Sequence, residues 1–475
     1  MSEDETTPSA PPTATRFPLN VETFEEDALG LEPFCRSLES YLMVDHDFVE
    51  GSLVVSLNAE FGLGKSTFLK MWENDLNSRR DEEAITPLAI NLNAWESDYC
   101  DEPLLPIISA LIEAIEATVE KPDADPKIHK LKEAAKDVAW FTVGIANSVV
   151  KEGLKIDVLK AGKFAQEQKD KREETAESAR PDLLDEYQKR RHALWNLKQL
   201  LKEYLEGDTP KAFIFIDELD RCRPDYAVSY LETIKHVFDI HGLVFVLAVD
   251  YAHLENSAKS LYGPDLKFPE YFRKFVHRSF ELPKPDKTAR RKFAGILTDY
   301  YLHNKSTRFS RLNMKESFDS LPALISALEM TPRQAMEFFR ILGHLSSTNE
   351  EPKGPMHIGF GVGMMLMSAF KVSKAELYQQ LGGGYAPHKE VIHLFKDAYD
   401  SQNARWWFLT YLCGFTDLSP AYEQLEAVGL LSTNANPVST DQEVQRHMRP
   451  IWGTTAHLSD KYPQFYAMIE SKELR

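Results

Sequence analysis

Apolar residues change their spacing several times along the chain, and each change predicts an element. From Val21 to Tyr41 an acidic stretch carries Phe24, Leu29, Phe34 and Leu38 at roughly helical spacing, with Leu42 just beyond, which predicts one or two packing helices. Leu53 to Leu57 is a short apolar run that ends in the glycine-rich segment NAEFGLGKST. Helical spacing resumes from Phe68 to Leu76, so the order is strand, loop, helix. Pro87 to Leu92 predicts a second strand and Leu104 to Val119 a strong helix. Ala212 to Ile216 and Leu243 to Val249 read as buried strands, separated by a helix from Pro224 to Asp239 that places proline near its first turn. The runs at Ala212 and Leu243 are continuously apolar rather than alternating, as expected of strands covered on both faces, so the fold class is α/β with a parallel sheet.

Two segments depart from that alternation. Residues 121–207 form a highly charged insertion, read as a helical arm that is largely solvated. Beyond about Pro283 no comparable strand run returns, which predicts a mainly helical C-terminal region with a turn at Gly382, Gly383 and Gly384. The predicted organisation is a disordered tail at 1–18, a core at 19–283 holding the insertion, a helical lid at 284–350 and a helical domain at 351–475. The apolar runs Val138 to Val150 and Ile358 to Phe370 are about 13 residues long against the ~20 that span a bilayer, so they predict buried helices and no membrane insertion.

Composition narrows the class further. With 475 residues, 43% hydrophobic and 27% charged, the chain has ample material for a core and more than one domain. A net charge of −18 argues against coating nucleic acid or anionic membrane by bulk attraction. The four cysteines, Cys35, Cys100, Cys222 and Cys413, lie far apart with no metal-ligand spacing. They read as reduced thiols of a cytoplasmic protein. The first residues carry acids where an export signal needs bases and an apolar core.

The chemistry concentrates in two distant motifs. Ala59-Glu60-Phe61-Gly62-Leu63-Gly64-Lys65-Ser66 matches the Walker A pattern, with Ala59 in place of the first glycine. Backbone N–H groups of a tight loop and a helix N-terminus suit phosphate oxygens, which a side chain at Gly64 would obstruct. The phosphate-binding segment is therefore Phe61, Gly62, Leu63, Gly64, Lys65, Ser66 and Thr67, where Lys65 neutralises β/γ-phosphates and Ser66 ligates Mg²⁺. Thr67 is a neighbouring hydroxyl without an assigned ligand role. The second motif is the strand Phe213 to Ile216 ending in Asp217-Glu218. Asp217 is then the second-shell holder of Mg²⁺, through water, and Glu218 the group that polarises the attacking water. A strand lies in sequence between the two motifs, and the second acid directly follows the first, which favours the P-loop ATPase branch with an additional strand. No Asn-Lys-x-Asp segment reads guanine, so ATP is preferred to GTP as the nucleotide.

At this point the sequence resembles the KAP family of P-loop NTPases. The resemblance rests on Phe61 to Thr67, on Asn93-Ala94-Trp95 and on Asp217-Glu218-Leu219-Asp220-Arg221-Cys222. It extends to the helix Tyr230 to Phe238, the strand ending at Asp250, Tyr271 to Lys274 running into Leu282-Pro283, and Thr331-Pro332-Arg333. It covers about residues 20 to 345, with Ala59 for the usual glycine and Phe61 for the usual tryptophan. Many relatives carry membrane helices where this chain has its polar insertion, so the resemblance implies a soluble member. Soluble bacterial members are associated with phage exclusion and defence operons, and an effector protein of the same operon or a homo-oligomer is the partner that this implies.

Weaker candidates surround the two motifs. Asp220 or Arg221 reaches the γ-phosphate or a neighbouring subunit, or else caps a helix. Asp250 senses the attacking water, or is a plain strand-end acid. Arg273, with Arg278 as runner-up, is expected to complete a neighbour's site from a short helix, and Arg333 resembles the basic sensor of a helical lid. Lys284 to Lys315 holds nine Lys/Arg against two Asp, which makes nucleic acid a conceivable partner, although a solvated helix face or pairing with the acidic first 50 residues explains the run more simply. Trp406-Trp407-Phe408 reads as core. The sequence therefore predicts an Mg²⁺-dependent ATPase switch, with a non-hydrolysing nucleotide-binding scaffold and a nucleic-acid-dependent ATPase as alternatives.

Overall fold

The computed structural model describes residues 20–82, 86–100, 102–119, 122, 125–143, 183–205, 212–304, 309, 315–346, 358–396, 402–415, 419–427 and 461–473. The predicted tail at 1–18 and the central part of the insertion, 144–182, lie outside the described residues. Contacts divide the chain into two compact units, one of residues 21–27 and 31–283 and the other chiefly of residues 284–475.

The first unit is a three-layer α/β domain. Its strands are β1 (Leu53–Asn58), β2 (Leu88–Asn93), β3 (Ala212–Asp217), β4 (Leu243–Val249) and β5 (Arg278–Glu281). All pair in parallel, in the order β2-β3-β4-β1-β5. Every residue of β3 and β4 is buried, which is what their unbroken apolar runs require of central strands. The additional strand is β4, which separates the strand before the phosphate loop from the strand that ends in Asp217. The P-loop NTPase fold with an additional strand is thus the observed one.

β5 is absent from the sequence reading. It is four residues long, mostly exposed and polar, so neither apolar continuity nor alternation announces it. Arg278 consequently sits on an edge strand, not on a short helix. Its side chain donates to Tyr41 Oη at 3.3 Å and lies 3.9 Å from Asp45.

Helices cover the sheet on both faces. α1 (Glu32–Asp45) and α2 (Lys65–Glu82) meet around the fully buried Trp72, whose ring contacts Phe68, Phe213 and Phe215. A polar seam joins the same two helices: Arg36 makes a bidentate pair with Asp75 at 2.6 and 2.7 Å, and Arg79 reaches Asp75 and Glu39. α3 (Leu104–Ala117) presents an apolar face to the other side of the sheet. The described flanks of the insertion, α4 (Pro126–Val143) and α5 (Leu183–Leu205), are less solvated than their charge suggests. Ile128, Leu131, Val138, Leu197 and Leu201 are buried in the same core, because helical spacing collects the few apolar residues of a charged segment on one face. α6 (Pro224–Val237), α7 (Tyr251–Tyr262) and the short α8 (Phe268–Phe272) complete the unit.

The second unit is helical, from α9 (Lys287–Asn304), α10 (Lys315–Ala327) and α11 (Pro332–Ser346) to α12 (Ile358–Ser373), α13 (Ala375–Gly382), α14 (His388–Lys396), α15 (Gln402–Leu412), α16 (Ser419–Ala427) and α17 (Tyr462–Glu473). The apolar run at Ile358 becomes the central helix α12, with Val362, Met364 to Met367, Ala369 and Phe370 fully buried. Trp407 and Phe408 are core residues, and Trp407 Nε1 donates to the Ser320 carbonyl at 2.8 Å. α17 packs through aromatic rings: Phe465, Tyr466 and Tyr462 lie against Gly363, Gly382 and Gly414, where a Cβ would collide with them. Among the described residues no helix is long and apolar enough to cross a membrane.

Candidate nucleotide site

Because the strands are parallel, Asn58, Asn93, Asp217 and Val249 end at one edge of the sheet, where open α/β sheets bind ligands. The loop after β1 starts from a fixed point: Ala59 is buried, and its N–H donates to the Val249 carbonyl at 3.3 Å. Ala59 is not among the non-glycine residues with positive φ, so alanine adopts its conformation without strain. Gly62 and Gly64 do require glycine, at φ 86° and 97°. A Cβ at Gly64 would meet no protein atom within 4 Å, which leaves open the space that a phosphate needs. The backbone then enters α2 at Lys65, and Phe68 N–H closes the first turn on the Gly64 carbonyl at 2.9 Å. Lys65 Nζ donates back to the Ala59 carbonyl at 2.5 Å, across the mouth of the loop.

The acids reach this loop from β3. Glu218 has left-handed backbone, with φ 61°, and its N–H donates to Asp217 Oδ1 at 2.9 Å. That bend directs both carboxylates towards α2. Ser66 Oγ lies 3.5 Å from Glu218 Oε1. Burial raises the Asp217 carboxyl above its ordinary value, and burial together with the charge of Asp217 raises Glu218. The structure therefore brings together Lys65, Ser66, Asp217 and Glu218, with Gly62, Leu63, Gly64 and Thr67 in the loop and helix turn that carry them.

The donor set fits a hydrated Mg²⁺. Ser66 and Asp217 offer hard oxygens, and a buried carboxylate with raised pKa is one that a cation would stabilise. Among the described residues no group of three or more His, Cys, Asp or Glu could hold a metal ion.

The Asp250 carboxylate caps α7, accepting from the N–H groups of Ala252 and His253 at 3.1 and 3.3 Å. Trp95 is exposed and follows Asn93, whose Oδ1 accepts from the Trp95 N–H. Arg273 is exposed at the C-terminal end of α8, beside Lys274, which lies 5.9 Å from the Tyr271 ring centroid. Arg333 belongs to the second unit, at the start of α11, in an open hollow with Tyr301, Met336, Glu337 and Arg340. In the basic stretch Arg290 pairs with Glu329 at 2.9 Å, while Lys305, Arg308 and Arg311 lie outside the described residues.

One contributor, Asn58, had no role assigned from sequence. Asn58 accepts from Tyr251 N–H at 2.9 Å and donates to Glu281 at 2.7 Å, so it links the ends of β1, β4 and β5. Arg221 forms an ion pair with Glu218 Oε2 and lies over the Phe61 ring, 5.3 Å from its centroid. The i, i+3 spacing of Glu218 and Arg221 in a helical turn was the available signal.

Comparison with known proteins agrees with this architecture. No curated protein matches the sequence. Two solved structures of the Aeropyrum pernix ORC2 protein are similar at a level that carries no argument. The ADPNP-ADP complexes align over 94% of each chain at 11% identity with a TM-score of 0.30. The ADP form aligns over 96% of this chain and 98% of that one at 13% identity with a TM-score of 0.29. The KAP family P-loop domain, in contrast, matches residues 32–349, a span that contains the loop, both acids and the whole parallel sheet. The chain is a member of the KAP family and carries its nucleotide-binding P-loop NTPase domain.

Proposed function

We propose that the protein is an Mg²⁺-dependent ATPase that works as a switch. The observation that carries this reading is the meeting of Lys65, Ser66, Asp217 and Glu218 at one end of the sheet, with the Ser66 hydroxyl 3.5 Å from the Glu218 carboxylate. Lys65 is the group that neutralises phosphate charge, and Gly62 and Gly64 keep the loop backbone open to phosphate oxygens. Ser66 and Asp217 would hold Mg²⁺, the second through water, and the bound ion would supply charge neutralisation of the phosphates. Glu218 orients the attacking water and accepts its proton, and its partly buried position favours that work. Arg273 and Arg333 are proposed as the arginines that meet transition-state charge, Arg273 from a neighbouring copy. The setting we infer from the family resemblance is anti-phage defence, with an effector of the same operon as partner.

The deciding experiment is ATP turnover by the purified protein, with Mg²⁺ and with EDTA, and with or without DNA or RNA. Turnover that requires Mg²⁺ and ignores nucleic acid supports the switch. Binding without turnover would replace it by a scaffold, and turnover only with nucleic acid by a nucleic-acid-dependent ATPase.

A further inference from the structure

The carboxylate proposed to act on water is already engaged. Glu218 Oε2 is ion-paired with Arg221 Nε, and its other oxygen faces Ser66 Oγ at 3.5 Å. Arg221 in turn rests over Phe61, a ring that belongs to the phosphate loop itself. Three residues of two motifs, more than 150 positions apart in sequence, therefore form one chain of contacts: loop aromatic, guanidinium, catalytic carboxylate. The Arg221 side chain is 37% exposed, so it is held at the site without being locked into the core.

An arginine so placed has a stronger partner available once a triphosphate enters. A terminal phosphate presents more charge and more acceptor oxygens than a carboxylate, and guanidinium binds it through two parallel N–H donors. Lys65 and Ser66 fix where phosphates sit, and Ser66 touches the same carboxylate that Arg221 holds. A diphosphate lacks the terminal group and offers Arg221 no reason to leave Glu218. Arg221 is close in sequence to the proposed magnesium holder, yet the exchange needs no change in protonation of any group.

We propose that Arg221 is the specificity-determining sensor of the γ-phosphate: it pairs with Glu218 in the absence of a nucleoside triphosphate and transfers to the γ-phosphate when one binds, which releases Glu218 to the attacking water. Phe61 is the platform that keeps the guanidinium beside the loop during the exchange. This inference rests on the proposed nucleotide site and goes beyond it by naming what distinguishes ATP from ADP.

Equilibrium binding of the full chain to AMP-PNP and to ADP, with Mg²⁺, tests it without reference to turnover. Arg221→Ala should weaken AMP-PNP binding about tenfold and leave ADP within about twofold, since one charge-assisted contact is lost from only one ligand. Glu218→Gln removes the competing ion pair without touching Arg221, so it should tighten AMP-PNP several-fold, and the gain should vanish in the Glu218→Gln, Arg221→Ala double variant. If Arg221→Ala fails to fold, the Glu218→Gln variant is read on its own, and the absence of any gain in AMP-PNP affinity would then overturn the sensor. Equal losses for both nucleotides, or a Glu218→Gln gain that survives removal of Arg221, would overturn the sensor. If wild-type protein binds neither nucleotide, the site reading itself fails, which is a separate outcome.

Discussion

Ser66 Oγ and Glu218 Oε1 stand 3.5 Å apart, although 152 residues separate them. The first is the second residue of α2, and the second follows the last residue of β3, so this pair measures how the two motifs meet. The contact runs past β4, which lies between the two parent strands.

Lys65→Ala should abolish ATP binding, with affinity lowered at least ~100-fold in calorimetric titration. Removal of the ammonium leaves phosphate charge uncompensated at a loop built around it. An unchanged affinity would remove the loop from the mechanism.

Glu218→Gln should retain fold and ATP binding and lose about 10²–10⁴ in turnover, because an amide cannot accept the proton of the attacking water. Steady-state phosphate release checks this, with circular dichroism as the control for folding. Turnover equal to wild type would reduce Glu218 to a partner of Arg221.

Asp217→Asn should stabilise the nucleotide-free protein at pH 7 while abolishing the stabilisation that Mg²⁺-ATP gives. Burial raises the Asp217 carboxyl above its ordinary value of 3.8, so the folded state favours its protonated form. That contribution is fully present below 3.8 and is lost as pH rises through the raised value, which leaves an ionised, buried carboxylate that costs stability at neutral pH. The Tm of the variant should exceed that of wild type at pH 7, and the gap should close below pH 4. A gap that is independent of pH would assign the effect to packing.

Arg273 is exposed at the end of α8 and is expected to act on a neighbour's nucleotide. Arg273→Ala and Lys65→Ala proteins, each inactive alone, should recover part of the turnover when mixed, since the intact loop of one meets the intact arginine of the other. A neighbour's arginine contributes about 10³–10⁵ in rate in related phosphoryl-transfer sites, so even partial assembly is detectable. Mixtures as inactive as their parts, with co-assembly proven by sedimentation, would exclude the shared site.

In the second unit, Gly382→Ala should destabilise by about 1–3 kcal/mol, the usual range for an added methyl in a filled core. The new Cβ would strike the ring of Tyr466, and Gly363 stands in the same relation to Phe465. Urea unfolding followed by fluorescence of this unit's tryptophans measures it; an unchanged midpoint would show that α17 yields without cost.

The local grammar was sufficient for much of this. Continuous apolar runs at Ala212 and Leu243 identified buried strands, since strands covered on both faces can be apolar at every position. Glycines before Lys65-Ser66 and acids after the Phe213 to Ile216 run announced the phosphate chemistry, because each acts through its own residue type at a strand end. Tertiary structure decided what depends on neighbours. It set β4 between β1 and β3 and added β5, a polar edge strand paired with β1. It fitted Ala59 against Val249 without the glycine that the motif usually has. It buried α4 and α5 along one face despite their charge. Above all it placed Arg221 between Phe61 and Glu218: the spacing from Glu218 was visible in sequence, but the aromatic platform comes from a loop on another strand, and only the packed sheet brings the two together.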